Sequence, residues 1–384
     1  MRKSVIIICL ILICFPISVK AEQTDESSLF AKNAAGAYVM EYTTMKEVFK
    51  KEETKKLYPA SMTKMMSLLL VYEALEAHVI AYDDIITTSA YAASMGGSQI
   101  FLEENEMMSV KDLLKSVCIA SANDAIVALA EKVAGNESSF VEKMNQKAKQ
   151  IGCINTHFVN TTGLHDENHY SCAKDMAIIA KHLLDIGGNE LLAITSTYED
   201  YIREDSDKKF WLVNTNKLIR QYEGCDGLKT GYTSEAGSCI TVSAKRNHMR
   251  FIVVVMKEPD AKTRNAEVAE LLDYSFSLFD QMMIYSKGKK IETRKIPQSK
   301  EGKVDLICEE DISIIYEKGK EVAIASQEVK WLDKKLPYKE NQRIAQLKIE
   351  LNDGTKITTY LISKKKVTPL SFVDVFVKGM LEMI

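Results

Sequence analysis

Proline is scarce in this chain, six residues in 384, and glycine is little commoner at seventeen. Collagen-like repeats and low-complexity linkers are thereby excluded. No apolar run reaches the ~20 residues that a membrane-spanning helix needs, so a multi-span membrane protein is excluded as well. Charge of one sign is not in excess, with 50 basic against 53 acidic side chains. Without a broad basic field, no nucleic-acid partner is expected. No two cysteines stand as C-x-x-C, which removes the commonest signature of structural zinc. What is present is ordinary globular composition, 46% hydrophobic and 27% charged, at a length that allows two domains and one large core.

The first residues give an address. Arg2 and Lys3 precede an apolar run from Val5 to Val19, and Val19-Lys20-Ala21 sets small residues around a cleavage point. Charged start, short apolar stretch and such a site together read as a secretory signal peptide over residues 1–21. Its removal takes three basic residues and leaves a net charge of −6. Six cysteines remain in the exported chain: Cys118, Cys153, Cys172, Cys225, Cys239 and Cys308. A domain of this size does not need disulfide staples, and most of the six are read as small buried hydrophobes.

The pattern then divides. Ala37 to Glu41 and Glu47 to Phe49 flank a Thr43-Thr44 turn and predict a hairpin. From Pro59 to about Glu76 the chain is apolar nearly all round, which predicts a helix buried at the middle of a domain. Further helices are expected from Ser109 through Val117, after a break at Ser121-Ala122-Asn123 as far as Gly135, from a Ser139/Glu142 cap to Ile151, and over about Ala173–Leu184. Gly224 to Gly231, Cys239 to Ala244 and Arg250 to Met256 read as strands, followed by a helix from Arg264 to Met283. An antiparallel sheet made of early and late strands around a helical block is α+β. Beyond Lys287–Lys290, short strands and an Asn352-Asp353-Gly354 turn predict a small all-β unit. In the last segment Asp374, Lys378 and Glu382 form one polar stripe on an otherwise apolar helix too short to span a bilayer. The expected organisation is a signal peptide at 1–21, an α+β domain at 22–285, a β-rich domain at 286–367 and an amphipathic helix at 368–384.

Chemistry is carried by three short motifs. S-x-x-K occurs five times, at Ser61/Lys64, Ser171/Lys174, Ser206/Lys209, Ser286/Lys289 and Ser363/Lys366, so alone it says little. Only Ser61 stands at the first turn of the buried helix, where its i+3 neighbour shares its face and the helix start favours developing negative charge. Ser121-Ala122-Asn123 is an S-x-N tripeptide between two helices, and Lys229-Thr230-Gly231 is the only K-T-G, on a predicted strand. A core-facing helix start, a capping loop and a strand-end turn would explain each singly. Their joint order in an exported chain is what points to hydrolysis by a serine.

With those residues in view, Y-P-A-S-M-T-K, S-A-N-D-A and D-G-L-K-T-G-Y-T resemble the serine D-alanyl-D-alanine carboxypeptidases, the low-molecular-mass penicillin-binding proteins. Around Gly227 to Gly237 and Gly163-Leu164 the match looks closest to the sporulation-type members. The resemblance implies a β-lactamase/transpeptidase-like fold, no cofactor and no metal. It implies Ser61 as nucleophile, Lys64 as general base and Ser121 as proton relay to the departing D-Ala. Asn123 would position Lys64 and bind the stem peptide; Lys229 and Thr230 would take the terminal carboxylate, and Gly231 would let substrate lie close to the strand. The backbone N–H groups of Ser61 and Tyr232 would form the oxyanion hole. Implied partners are the peptidoglycan stem peptide, β-lactams as covalent inhibitors and the outer face of the cytoplasmic membrane, reached by the C-terminal helix. Two departures stand out: Ala122 where many members carry Gly, and Tyr232, where a relative with His would titrate differently.

Three rivals are weaker. A class A β-lactamase would need E-x-x-L-N between Asn123 and Lys229, and none occurs. His165-x-x-x-His169 has a zinc-ligand spacing, but Gly163-Leu164 and Asp166-Glu167-Asn168 predict a loop with two exposed histidines. A non-catalytic penicillin-binding wall sensor would keep the fold without turnover, which fits poorly with intact Ser61, Lys64, Ser121 and Lys229.

Overall fold

The computed structural model describes residues 29–332 and 335–374. The expected signal peptide and positions 375–384 of the expected terminal helix lie outside the described residues. Strands β1 (Gly36–Glu41), β2 (Glu47–Lys51), β3 (Cys225–Thr233), β4 (Gly237–Arg246) and β5 (Met249–Glu258) form one antiparallel sheet in the order β2-β1-β5-β4-β3. Strand β5 is apolar without alternation because both its faces are covered. Phe251, Val253 and Val255 enter one core, while Ile252, Val254 and Met256 enter the other.

The first core lies under helix α6 (Ala261–Leu278), whose Val268, Leu271, Leu272 and Phe276 meet the sheet. Helices α1 (Lys64–Glu76), α2 (Val110–Lys115), α3 (Asn123–Ala134), α4 (Glu137–Gln150) and α5 (Ala173–Thr195) build the second core on the opposite face. Helix α1 has no polar face, as its sequence predicts: every residue from Lys64 to Tyr72 is buried. Strand β3 is the sheet's outer strand, so one edge of the K-T-G segment has no strand beside it. All six cysteines in the described residues are buried and unpaired.

A β-rich unit follows. Strands β6 (Phe279–Tyr285) and β9 (Ile312–Glu317) pair, and β7 (Lys290–Lys295), β8 (Lys303–Cys308), β10 (Ile324–Trp331), β11 (Arg343–Leu351) and β12 (Lys356–Ser363) form a sheet in the order β7-β8-β12-β11-β10. Lys46, from the β1–β2 turn, reaches across to Glu317.

Several boundaries differ from expectation. The helix predicted to reach Met283 stops at Leu278, because Phe279–Tyr285 finds a strand partner in β9 and tertiary pairing overrides helical spacing. The helix predicted from Ser139 starts at Glu137, with Asn136 as cap accepting from the Ser139 N–H at 2.8 Å. Helix α5 does not end near Leu184 but continues to Thr195 across a kink at Gly188. Pro369 bridges to Ser299 and the Leu370 N–H donates to the Gln298 carbonyl, so the terminal segment leaves the β unit after Leu370 and not at 368. Two short hairpins, Ile85–Thr87 with Met107–Ser109 and Glu199–Ile202 with Phe210–Val213, lack the apolar alternation that would have disclosed them.

Candidate active site

One turn of 3-10 helix, Ala60–Thr63, leads straight into α1. Lys64 therefore begins α1 one turn after Ser61, and its Nζ lies 2.9 Å from Ser61 Oγ and 2.8 Å from the Thr162 carbonyl oxygen. The side chain is completely buried. An ammonium has three protons to place, and a buried one with two neighbours is poorly compensated. Burial first, and the nearby Lys229 charge second, hold Lys64 well below the usual lysine range, with Asp124 opposing. A neutral amine beside a hydroxyl can accept its proton. None of the other four S-x-x-K lysines is hydrogen-bonded to its serine in the same way.

Backbone packing fixes the turn. Ala60 has φ +48°, a left-handed conformation that costs a residue with Cβ about 1–2 kcal/mol. Two glycines hold it there. A Cβ on Gly163, itself at φ +86°, would stand 1.8 Å from the Ala60 carbonyl oxygen. A Cβ on Gly231 would stand 2.7 Å from the Pro59 oxygen and 3.1 Å from the Ser61 nitrogen. Gly231 is thus required first by the protein's own turn at Pro59–Ser61, and its lack of a side chain brings strand β3 against the Ser61 N–H.

The S-x-N motif sits where predicted, in a helix break. A π turn, Ser116–Ala120, ends in Ser121 at φ +65°, and α3 starts at Asn123. Ser121 Oγ and Asn123 Oδ1 are buried without hydrogen-bond partners. Asn123 does not brace Lys64 as expected; its Nδ2 donates to the Gly96 carbonyl at 2.6 Å, and the Thr162 carbonyl supplies the brace. Asp124, buried at the start of α3, accepts from the N–H groups of Ile100, Leu102 and Ala125 and so ties the 96–102 loop to this motif. Cys118, in the π turn, is no rival nucleophile: burial pushes its thiol up to about 12.

Lys229 is buried on β3 and lowered to about 8, by desolvation and by the Arg264 guanidinium, against an opposing contribution from Cys118. Thr230 Oγ1 donates to Thr215 Oγ1 at 2.7 Å, and the Thr215 N–H donates to the Ile119 carbonyl, two residues before Ser121. Thr215 therefore joins the K-T-G and S-x-N arms. Tyr232 stands 69% exposed at the rim.

The two loop histidines diverge. His165 is exposed and meets Tyr58 edge-on. His169 is not exposed as expected but buried beneath the Ala60–Thr63 turn, because its ring fills the space behind Thr63. Its Nδ1 accepts from the Val159 N–H, so Nε2 carries the proton and donates to Thr63 Oγ1 at 2.7 Å. Desolvation lowers it to about 4 and keeps it neutral. Among the described residues no group of three or more His, Cys, Asp or Glu could hold a metal ion.

A family model for D-alanyl-D-alanine carboxypeptidase matches residues 20–260, and one for the C-terminal domain of penicillin-binding protein 5 matches residues 279–369. The chain belongs to this family. It is a serine-type D-alanyl-D-alanine carboxypeptidase of peptidoglycan metabolism. The D-alanyl-D-alanine carboxypeptidase DacF of Bacillus subtilis is 44% identical over 365 residues, 94% of this chain and 93% of that one. Penicillin-binding protein 5 from Haemophilus influenzae is 34% identical and superposes with a TM-score of 0.64 over 88% of this chain and 98% of its own. Penicillin-binding protein 3 from Streptococcus pneumoniae gives 0.68 at 28% identity, over 87% and 99% of the two chains.

Sequence reasoning did not find Thr162, Gly163, Thr215 or Asp124 as parts of the carboxypeptidase site. The Gly163 packing yields a test. Gly163→Ala should displace Ala60 and Ser61 and lower the penicillin acylation rate by about 100-fold or more, the scale of a 1 Å misplacement. Gly152→Ala is the control, since Gly152 has a similar φ of +87° but open space around it. It should cost only about 1 kcal/mol of stability and leave acylation unchanged; equal effects of the two substitutions would refute the clamp.

Proposed function

We propose that Ser61 is the nucleophile and Lys64 its base. The supporting observation is the 2.9 Å approach of a buried, charge-averse amine to Ser61 Oγ. Ser61 Oγ attacks the carbonyl of the penultimate D-Ala as its proton passes to Lys64 Nζ. The oxyanion is received by the N–H groups of Ser61 and Tyr232, a role favoured by the close packing of Gly231 on the Ser61 nitrogen. The C–N bond breaks, Ser121 Oγ relays a proton to the departing D-Ala amine, and an ester remains on Ser61. Water then loses a proton to Lys64 and attacks the ester, freeing the shortened stem peptide and restoring the Ser61 hydroxyl. A β-lactam follows the first steps, but its amine stays tethered and the ester persists.

Lys229 and Thr230 take the terminal carboxylate, with Arg264 adding positive charge behind Lys229. Keeping Lys229 charged in this site costs roughly 3 kcal/mol relative to water, and an arriving carboxylate offsets it. Asn123 Oδ1, buried and unpartnered, is placed to accept from a stem-peptide N–H.

The reaction takes place outside the cytoplasm, at a membrane surface. The chain turns helical at positions 372–374, opened by reciprocal Ser371–Asp374 hydrogen bonds, and Phe372 and Val373 project into solvent. Phe372, Phe376, Met380 and Met383 follow helical spacing, and each contributes roughly 1.5–3 kcal/mol at full burial in lipid. Lys364, Lys365 and Lys366 lie just before this segment and attract anionic headgroups.

Penicillin should add one covalent mass to the wild type and none to Ser61→Ala. Lys64→Arg should abolish acylation, because a guanidinium stays protonated. Activity needs Lys64 neutral and Lys229 charged, so kcat/KM should rise with pH through the Lys64 ionisation and fall again near 8. Lys229→Arg should keep measurable acylation and move the alkaline fall upward; complete loss in Lys229→Arg as well as Lys64→Arg would overturn this division of roles.

For the membrane reading, truncation after Leu370 should abolish sedimentation with anionic vesicles and leave hydrolysis of a D-Ala-D-Ala peptide intact. Full-length protein that ignores such vesicles would refute the anchor.

A further inference from the structure

Phe101 is an anomaly in a well-packed domain. Its neighbours Ile100 and Leu102 are buried, yet its own ring is 63% exposed and its φ is +57°. An L-residue held in that region costs of order 1–3 kcal/mol, and such positions persist only where the surroundings over-determine them. The surroundings here do. The Asp124 carboxylate accepts from the N–H groups of Ile100 and Leu102 on either side. Arg203 donates to the Ile100 carbonyl at 2.9 Å and to the Phe101 carbonyl at 3.5 Å, while its guanidinium pairs with Glu106 at 2.6 Å. The loop is thus fixed from the helix side and from the hairpin side, with one aromatic side chain held outward.

The location of this ring matters. Its loop is fastened to the S-x-N motif, since the Asn123 N–H donates to the Ser98 carbonyl at 2.7 Å and Asn123 Nδ2 to that of Gly96. The ring itself lies 6.0 Å from Phe210, at a tilted angle of 59°. Phe210 opens the short strand Phe210–Val213, which runs into Thr215, the partner of Thr230. The Phe101–Phe210 pair therefore links the loop held by Asn123 to the strand that leads on to Thr215.

We infer that Phe101, backed by Phe210, is a rigid apolar wall that binds the uncharged group on the acyl side of the scissile bond and makes the enzyme prefer acyl donors bearing an apolar or aromatic substituent there. The inference rests on the reading above, in which Ser61 is acylated. Lys229 and Thr230 take the carboxylate on the leaving-group side, whereas Asn123, to which this loop is fastened, faces the stem peptide on the acyl side. A pre-fixed aromatic ring gives contact area with little ordering cost.

The test compares acylation by benzylpenicillin, which has a benzyl group on its acyl side, with 6-aminopenicillanic acid, which has the same ring system and no such group. Phe101→Ala should slow acylation by benzylpenicillin about tenfold and leave 6-aminopenicillanic acid within about twofold. Phe101→Tyr should restore the preference. A Phe101→Ala protein that reacts as wild type with both compounds, or one slowed equally with both, would overturn the inference, the second result indicating a purely structural loop. Thermal unfolding of Phe101→Ala and Phe101→Leu checks that the exposed ring is not needed for folding; Phe101→Leu should lie between wild type and alanine in its preference. Wild-type protein that neither compound acylates would overturn the parent reading instead, and the wall with it.

Discussion

A buried amine with two hydrogen-bond partners is the constraint on which the rest of the molecule turns. Lys64 opens a helix that is buried at every residue as far as Tyr72, with Ser61 Oγ and the Thr162 carbonyl within hydrogen-bond distance of Nζ. To keep that nitrogen dry, α1 must be surrounded, which is why the helical block closes over it on one side and the sheet covers it on the other. To keep it poised, a second lysine must stand near without neutralising it, and β3 brings Lys229 there. Helix α6, over the sheet's first core, sets Arg264 near Lys229. The apolar packing that holds the domain together is also what desolvates Lys64.

Much of this was legible in the sequence, for identifiable reasons. The all-round apolar helix, the three motifs in order and the late strands each leave a periodic or compositional mark. What was not legible is carried by backbone atoms and by common residue types. The Thr162 carbonyl, which braces Lys64, has no side-chain signature; Asn123 was the natural candidate by motif alone, yet its amide is spent on Gly96. Gly163 and Gly231 matter through what a Cβ would strike on another segment, information that exists only once the chain is folded. Thr215 is an ordinary threonine until its hydroxyl is seen to meet Thr230. His169 was read with its exposed neighbour His165, although its ring is buried against Thr63. Helix ends failed for the usual physical reason, that tertiary pairing outbids local preference: Phe279–Tyr285 leaves helical spacing to pair with Ile312–Glu317.

Three of the positive-φ residues bear on the site. Ala60 precedes Ser61, Ser121 belongs to the S-x-N motif, and Phe101 stands in the loop fastened to Asn123, all at positive φ. The holding groups are the Gly163 and Gly231 clamp, the π turn, and the Asp124 and Arg203 bonds to the 96–102 loop. A site that is rigid before substrate arrives spends little of its binding energy on ordering.

The central claim is that burial makes Lys64 give up its proton far more readily than an ordinary lysine, and its ionisation can be observed directly. Carbon-13 labelling of lysine side chains, with the Lys64 resonance assigned by its loss in Lys64→Arg, permits an NMR titration of that one group in the intact protein. The account predicts a titration well below the ordinary lysine value of 10.5, moving upward when Lys229 is replaced by an uncharged residue. A Lys64 resonance that titrates near 10.5, unaffected by Lys229, would contradict it.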